Sequence, residues 1–531
     1  MTQQACIISG LSLEFPTRIL FQQLNFSLNK GQLSALTGRN GQGKSMLMQI
    51  LHSMNCHTDP SGNHAFTAGS IHWNIPHSHL PQLHRLQAKT IADALEIKHL
   101  HDAFQQIENA VADMDDYNTV QDSWHLPALW EQQLIEAALP TCLDFPVHKL
   151  SEGEKTRLAL MKLFLKQDHY LLLDEPANHL DHKSRRWLLE KMRSHAPGVL
   201  LISHDVQSLE HAEQIYELSG HGLQCFQGNY SDFSELKQLH TVALEEKIAQ
   251  EKRELKQLRH QQHTSLMKSQ KRQSRGQALR DSGSQAKILL DYQKDQAGKS
   301  LGKLRTQQQN QMDQVQATLK ENQQQLEHVK AQRFYFPFTA THISREVLRV
   351  SALTLPYGTQ YPVSLSLRSD QKLHIRGENG SGKSTLLKLI HQKDSTAIYC
   401  AAGTVYLDQN FSFLNTELSA LENLKLLSPE VSESECHRSL GQLRLSGDKP
   451  LQPLSQLSCG EQLKTGLLAI SQMLRPDHLL LLDEAENHLD IESRQLLAHA
   501  VRTYSGAVLL VSHDDCFVRD CGITESVELK K

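Results

Sequence analysis

A series of short motifs occurs twice, in the same order and on nearly the same spacing, in this chain of 531 residues. Such a repeat constrains the fold more than composition does, because each copy must be a folding unit of its own. The interval from Asp174 to His204 equals the interval from Asp483 to His513. Within each copy, apolar runs alternate with helical stretches. The runs LLLLDE and AVLLVSH of the second copy are apolar up to their polar ends, as strands buried on both faces of a parallel sheet require. The expected fold class is α/β, a mainly parallel sheet covered by helices in each copy.

Between the copies the composition changes. No proline occurs between Pro197 and Pro337, and Gln, Lys, Glu and Leu dominate. LEEKIAQEKRELKQLRHQQ and LRTQQQNQMDQVQATLKENQQQLEHVKAQ read as two long polar helices, and Gly276 and Gly283 between them predict a chain reversal there. The simplest arrangement is an antiparallel helical hairpin. Three segments are therefore expected: residues 1–229, a first α/β domain; 230–340, a helical linker; 341–531, a second α/β domain.

The repeated motifs carry chemistry. GRNGQGKS (Gly38, Arg39, Asn40, Gly41, Gln42, Gly43, Lys44, Ser45) and GENGSGKS (Gly377, Glu378, Asn379, Gly380, Ser381, Gly382, Lys383, Ser384, with Thr385 following) each succeed an apolar strand. Glycines let such a loop curl so that its N–H groups and the helix N-terminus face phosphates. Lys44 and Lys383 would neutralise the β/γ-oxygens, and Ser45 and Ser384 would ligate Mg²⁺. Downstream, a strand in each copy ends in two acids. Asp174 and Asp483 are placed to hold the Mg²⁺ shell, and Glu175 and Glu484 to polarise an attacking water. His204 and His513, at the end of the next strand, are placed to bond the γ-phosphate. ATP and Mg²⁺ are the expected ligands.

These residues resemble ABC-type ATPases. LSEGE (Leu150 to Glu154) and LSCGE (Leu457 to Glu461) match the signature of that family, which implies that Ser151, Gly153, Ser458 and Gly460 contact nucleotide held by the opposite cassette. The resemblance also implies Q-loop glutamines at the metal, Gln82 in HLPQ and Gln409 in YLDQ, and adenine-stacking aromatics, Phe15 and Tyr357. More narrowly, the chain resembles the ABC-F family: two fused cassettes, an NHLD tetrapeptide after each acid pair (Asn178 to Asp181, Asn487 to Asp490) and a charged helical linker. The resemblance implies two P-loop NTPase cassettes joined by a long α-helical hairpin linker, and an ATPase that pairs its cassettes within a monomer. It also implies a ribosome-binding translation factor, some members of the family relieving antibiotic inhibition. The chain departs from the family pattern at Glu152 and Cys459, where glycine is usual, at Met46 after the phosphate-loop serine, and at PA and AE before NHLD.

Charge sharpens the partner expectation. The whole chain is close to neutral, at −4, yet from Lys256 to Arg305 there are twelve Lys and Arg against three Asp, so any polyanion contact is local to the linker. Ribosomal RNA and tRNA are the expected partners there. The nine cysteines show no CxxC pair and the His-rich stretch from His57 to His101 has no ligand spacing, so no metal cluster is expected. The segment MTQQACIISG does not read as a secretory signal and no apolar run reaches membrane-spanning length, so the expected location is the cytoplasm, with no membrane partner. Two other classes share the cassettes. The energy subunit of a transporter would give the basic linker no role. A DNA-maintenance ATPase would split one cassette around heptads or carry paired CxxC modules, and this chain does neither.

Overall fold

The apolar strands that precede each chemical motif are the centre of each cassette. A computed structural model of the chain describes residues 3–15, 18–53, 66–82, 88–178, 180–220, 222–281, 306–323, 325–326, 332–336, 345–378, 380–475, 478–487 and 489–530. These divide into two units, Met1–Ser231 with Gln332–Lys531, and Asp232–Ala331.

In the first unit, a six-stranded sheet has the order His77–Leu80, Tyr170–Asp174, Val199–Ile202, Leu33–Thr37, Gln214–Ser219, Gly222–Gln227. All neighbours are parallel except the last pair. A five-stranded, wholly parallel sheet repeats this order with Thr404–Asp408, Leu479–Asp483, Val508–Val511, Lys372–Gly377 and Glu525–Leu529. The strands Tyr170–Asp174 and Leu479–Asp483 are buried at every residue, as their unbroken apolar runs require. Each cassette adds a three-stranded antiparallel sheet, built on Gln4–Phe15 in one and Glu346–Leu353 in the other.

The order matters for chemistry. In each main sheet the phosphate loop leaves one strand, the acid pair ends a strand two places away, and the histidine follows the strand between them. All three groups therefore collect at the carboxyl edge of the parallel strands, where open α/β sheets form their ligand crevice.

The second unit is helical. Its longest element, Tyr230–Asp281, has 52 residues, which at about 1.5 Å per residue is roughly 78 Å of helix. Helical residues 306–323 pack on it through Ile248, Leu255 and Leu319, with Val315 and Leu326 alongside, and Asn322 donates to Glu251 at 2.7 Å. The helical hairpin expected between the cassettes is thus present. The helix continues through Gly276 to Asp281, and the rest of the segment in which the reversal is expected lies outside the described residues. One glycine costs a helix about 1 kcal/mol, which the surrounding Gln, Lys and Leu can absorb. Gly283 lies outside the described residues.

After the hairpin the chain enters the second cassette earlier than the motif pattern suggests. Phe334 and Phe336 are buried in its core, Phe336 against Tyr504 at 5.4 Å between ring centres. Tyr335 packs edge-on against His499 at 4.7 Å, and His499 Nδ1 donates to the Phe334 carbonyl at 3.0 Å. Replacing Phe336 with Ala is expected to cost about 3–5 kcal/mol, as truncation of a buried aromatic does. Denaturant unfolding of the full chain should show the loss in the second cassette's transition, and an unmoved midpoint would remove Phe336 from that core.

Candidate functional site

Each phosphate loop is shaped by backbone that only glycine adopts easily. Gly38, Gly41 and Gly43 have φ of 143°, 80° and 92°, and Gly377, Gly380 and Gly382 repeat these at 156°, 79° and 94°. At Gly38 a side chain would also strike the Leu218 carbonyl. The loops then open the helices Lys44–His52 and Lys383–Gln392, whose first turns have no side-chain cap. Free N–H groups at those N-termini make a ready anion site. Lys44 Nζ donates to the carbonyls of Gly38 and Arg39 at 2.7 and 3.0 Å, and Lys383 Nζ to those of Gly377 and Glu378 at 3.0 and 3.1 Å. Arg39 N donates to Gln42 Oε1 at 3.0 Å, and Ser381 is fully buried in the second loop. Asn379 lies outside the described residues.

The acid pairs face these loops. Asp174 is buried and accepts from Ser45, and its Oδ1 has no protein partner. Burial, with Glu175 beside it, lifts the Asp174 carboxyl to about 6 despite Ser45 and Lys44. Asp483 is raised too, chiefly by burial, but both its oxygens are engaged: Ser384 donates to Oδ1 at 3.0 Å and the Tyr406 phenol to Oδ2 at 2.7 Å.

Glu175 and Glu484 share an unusual backbone, with φ of 50° and 49°, so each turns away from the aspartate before it. Glu175 Oε2 accepts from Asn178 at 2.7 Å and from Gln82 at 3.2 Å, and His204 Nε2 lies 3.5 Å from Oε1. In the second copy Asn487 donates to Glu484 at 2.9 Å and His513 Nε2 lies 3.3 Å from it. Burial pushes the Glu484 carboxyl up, but the His513 bond and the charges of His513 and Lys383 outweigh it and hold the group below its ordinary range. Burial and the neighbouring Lys44 hold the His204 imidazole down to about 4, so it is neutral at physiological pH.

The signature serines cap helices. Ser151 and Ser458 precede Glu152–Phe164 and Cys459–Met473, and the amide of each serine donates to the carboxylate of Glu154 or Glu461 at 2.8 and 3.0 Å. The motif S-x-x-E is thus a capping box as well as a signature. The Glu152 side chain is exposed and pairs with Lys155 at 2.8 Å. Cys459 is half-buried. Burial raises its thiol first, and the charges of Glu175 and Asp490 add to that.

Other contacts also cross between cassettes. Asn40 N donates to Asp490 Oδ2 at 3.0 Å, Arg39 pairs with Glu492 at 2.9 Å, Lys183 pairs with Glu378 at 2.8 Å, and Arg494 donates to the His204 carbonyl at 3.0 Å. The structure thus gathers, around the first phosphate loop, Asp174, Glu175, Gln82, His204 and residues of the second cassette. Gln409 is half-buried just past the strand Thr404–Asp408. Phe15 is buried in the first cassette's core, whereas Tyr357 is 79% exposed. Tyr357 belongs to a segment that crosses the second phosphate loop, where Thr359 N donates to the Ser381 carbonyl at 3.1 Å. Gly358 allows that crossing, since a Cβ there would lie 2.5 Å from the same carbonyl.

Residues 21–178 and 361–487 match the ABC transporter family. With two phosphate loops, two acid pairs and two histidines gathered at the carboxyl edges of like-ordered sheets, the chain belongs to that family, and its cassettes are ATP-binding domains. Within the family it is of the ABC-F type, two cassettes in one chain separated by a helical hairpin. It is similar along its length to the putative ATP-binding protein YdiF of Bacillus subtilis, with 29% identity over 96% of this chain and 78% of that protein. The ribosome protection protein VmlR of the same species is 25% identical over 96% of this chain and 84% of its own. ATP-binding cassette sub-family F member 3 of Rattus norvegicus is 26% identical over 96% and 69%. The solved structure of an RNase-L inhibitor, 16% identical, superposes with a TM-score of 0.54 over 94% of this chain and 84% of that one, a likeness of fold.

Tyr406, Asp490, Glu492 and Arg494 are site residues that motif reading passed over. Asp490 had a local signal in the repeated NHLD tetrapeptide, and Tyr406 had another: it stands two residues before Asp408, which is level with Asp483 across the sheet, so strand alternation puts the phenol on the acid's face. Tyr406→Phe would leave a buried carboxylate oxygen without its donor, at about 1–3 kcal/mol. The second cassette should unfold at lower denaturant than in the parent, while Tyr357→Phe, at an exposed ring, serves as the unaffected control. Equal midpoints for parent and Tyr406→Phe would remove the phenol from the acid's shell.

Proposed function

We propose that this chain hydrolyses ATP to ADP and phosphate at two composite sites, one at each phosphate loop, and that nucleotide-driven pairing of the cassettes changes how its linker engages the ribosome in the cytoplasm. The observation that carries the reading is the bond from Asn40 N to Asp490: a phosphate loop of one cassette is completed by a carboxylate of the other. ATP bound there would touch both halves, so binding and closure are the same event.

The donor set fits Mg²⁺. Asp174 presents a buried oxygen with no protein partner beside the Ser45 hydroxyl, an arrangement that a divalent cation would complete. Asp174 with Ser45, and Asp483 with Ser384, would hold the ion, whose positive charge would offset the negative charge of the phosphates. Gln82 donates to Glu175 and so would link that carboxylate to the ion's surroundings. Glu175 and Glu484 orient the attacking water, their carboxylates held by Asn178 and Asn487. His204 and His513 steady those carboxylates and reach for the γ-phosphate. Lys44 and Lys383 exchange their loop carbonyls for phosphate oxygens. Ser151 with Gly153, and Ser458 with Gly460, offer helix N-termini to the nucleotide on the opposite cassette, and Tyr357 offers an exposed ring to adenine at the second loop.

The ribosome enters through two supports. VmlR, a full-length relative, is described as a ribosome protection protein. In the linker, Lys256, Arg259, Lys268, Lys271 and Arg275 are all exposed along one helix, a charge pattern suited to the phosphates of structured RNA. No helix among the described residues is long and apolar enough to cross a membrane.

Exchanging Glu175 and Glu484 together for Gln should leave ATP binding intact and remove most hydrolysis, since the amide keeps the shape and loses the charge that polarises water. The trapped protein should then sediment with ribosomes from lysate in the presence of ATP. Parental hydrolysis in the double variant would discard the assignment of these acids, and failure to sediment would discard the ribosome. Changing Lys271, Arg272, Arg275 and Arg280 to Gln should weaken that association and flatten its logarithmic salt slope by roughly 0.7 to 0.9 per lost phosphate contact. An unaltered slope would leave the linker a spacer.

A further inference from the structure

Arg494 sits in the first turns of the helix Ile491–Thr503, which Asp490 caps. Its guanidinium is buried and divided between two cassettes. Nη2 pairs with Asp514, the residue after His513 in its own cassette, and the group stacks over Phe517 at 5.7 Å. Nη1 crosses to the other cassette and donates to the main-chain carbonyl of His204 at 3.0 Å. A planar fork can make two such bonds in fixed directions at once, which an ammonium cannot.

The counterpart in the repeat does something else. Arg185, four residues after Asp181 as Arg494 is after Asp490, donates Nε to the Leu180 carbonyl of its own cassette at 3.0 Å and stands 4.0 Å from Asp205. Among the described residues no guanidinium of the first cassette is bonded to the carbonyl of His513. The trans contact is therefore one-sided, and it falls on the histidine whose ring lies 3.5 Å from Glu175.

We propose that Arg494 is a positioning residue acting in trans: from the second cassette it fixes the main chain of His204, and so makes hydrolysis at the first site conditional on closure of the cassettes. Asp514 holds the guanidinium in the orientation that reaches across, and Asp205, next to His204, adds attraction from the far side. When the cassettes separate, Arg494 departs with the second one and the His204 carbonyl loses its donor. Among the described residues the second site has no equivalent restraint, so the two sites differ in how strictly they require closure. The proposal rests on the reading of Glu175 and Glu484 as the acids of two hydrolytic sites.

The test isolates each site in the full-length chain, with Glu484→Gln leaving the first site active and Glu175→Gln the second. Arg494→Lys is placed in each background; it keeps a positive charge beside Asp514 and loses the fork. With the first site active, kcat should fall at least about tenfold while KM for ATP stays within about twofold, the pattern of a lost interaction that matters in the transition state. With the second site active, kcat should stay within about twofold of its parent background. A purely structural Arg494 predicts the reverse, because its ion pair lies beside His513; equal losses in both backgrounds, or a larger loss at the second site, would overturn the proposal. If the unaltered chain hydrolyses no ATP, the parent reading fails, which is a different result from active backgrounds that respond alike. Imidazole nitrogen-15 shifts of the histidine-labelled full chain, assigned with His204→Gln and His513→Gln, give a readout free of turnover. Arg494→Lys should move the His204 signals and leave those of His513 nearly in place, and movement of His513 alone would sink the idea.

Discussion

Two acids side by side at the end of an all-apolar strand are an electrostatic liability that the rest of each cassette is arranged to offset. Asp174 ends a strand buried at every residue, with Glu175 directly after it, and burial pushes the Asp174 carboxyl up. The left-handed turn at Glu175 separates the two carboxylates in direction, so that one faces Ser45 and the loop of Lys44 while the other faces Asn178, Gln82 and His204. The second cassette solves the same problem with the same turn at Glu484 but adds Tyr406 to the aspartate. In both, the loop lysine is buried near the pair, its ammonium pushed down by desolvation and drawn back up by the acids around it. Removing the acids would leave the lysine stranded, and the reverse also holds. The acid and lysine constellation and the stability of the sheet edge are thus one arrangement.

The cross-cassette carboxylate extends this logic beyond a single domain. Asp490 contributes to the field on Lys44 and on His204, and Asp181 to that on Lys383. Each loop is thereby tuned by a residue that belongs to the other half of the repeat. Since Asp490 also caps its helix, the group that completes a neighbour's site is held rigidly by its own backbone.

Much of this was readable from the sequence, and the division has a physical cause. The repeat, the two phosphate loops, the acid pairs and the buried strands depend on local spacing, on glycine at fixed positions or on unbroken apolar runs, all of which a sequence displays. Pairings made across a fold are not displayed. The bond from Arg494 to His204 joins positions 290 residues apart, and that from Asn40 to Asp490 joins positions 450 apart, with residue types common at helix starts. Phe15, which the family resemblance puts at the adenine, ends the strand Gln4–Phe15 with its ring in the first cassette's core, a placement no motif displays. Gly276 punctuated the linker on paper but not in space, because a long run of good helix formers propagates through one poor one.

Phe334 and Phe336 bear on how the polypeptide acquires its shape during synthesis. These rings leave the ribosome before any strand of the cassette whose core they complete, while partners such as Tyr504 lie near the far end of the chain. The carbonyl of Phe334 waits for His499, 165 residues later. Until then an aromatic strip stands exposed beside a finished first cassette, the kind of apolar surface on which nascent multidomain chains misassemble or recruit chaperones. The cassette is therefore bounded by the order in which its parts are made as much as by its strands, and a fragment started at its first strand, Glu346, would be born without part of its own interior.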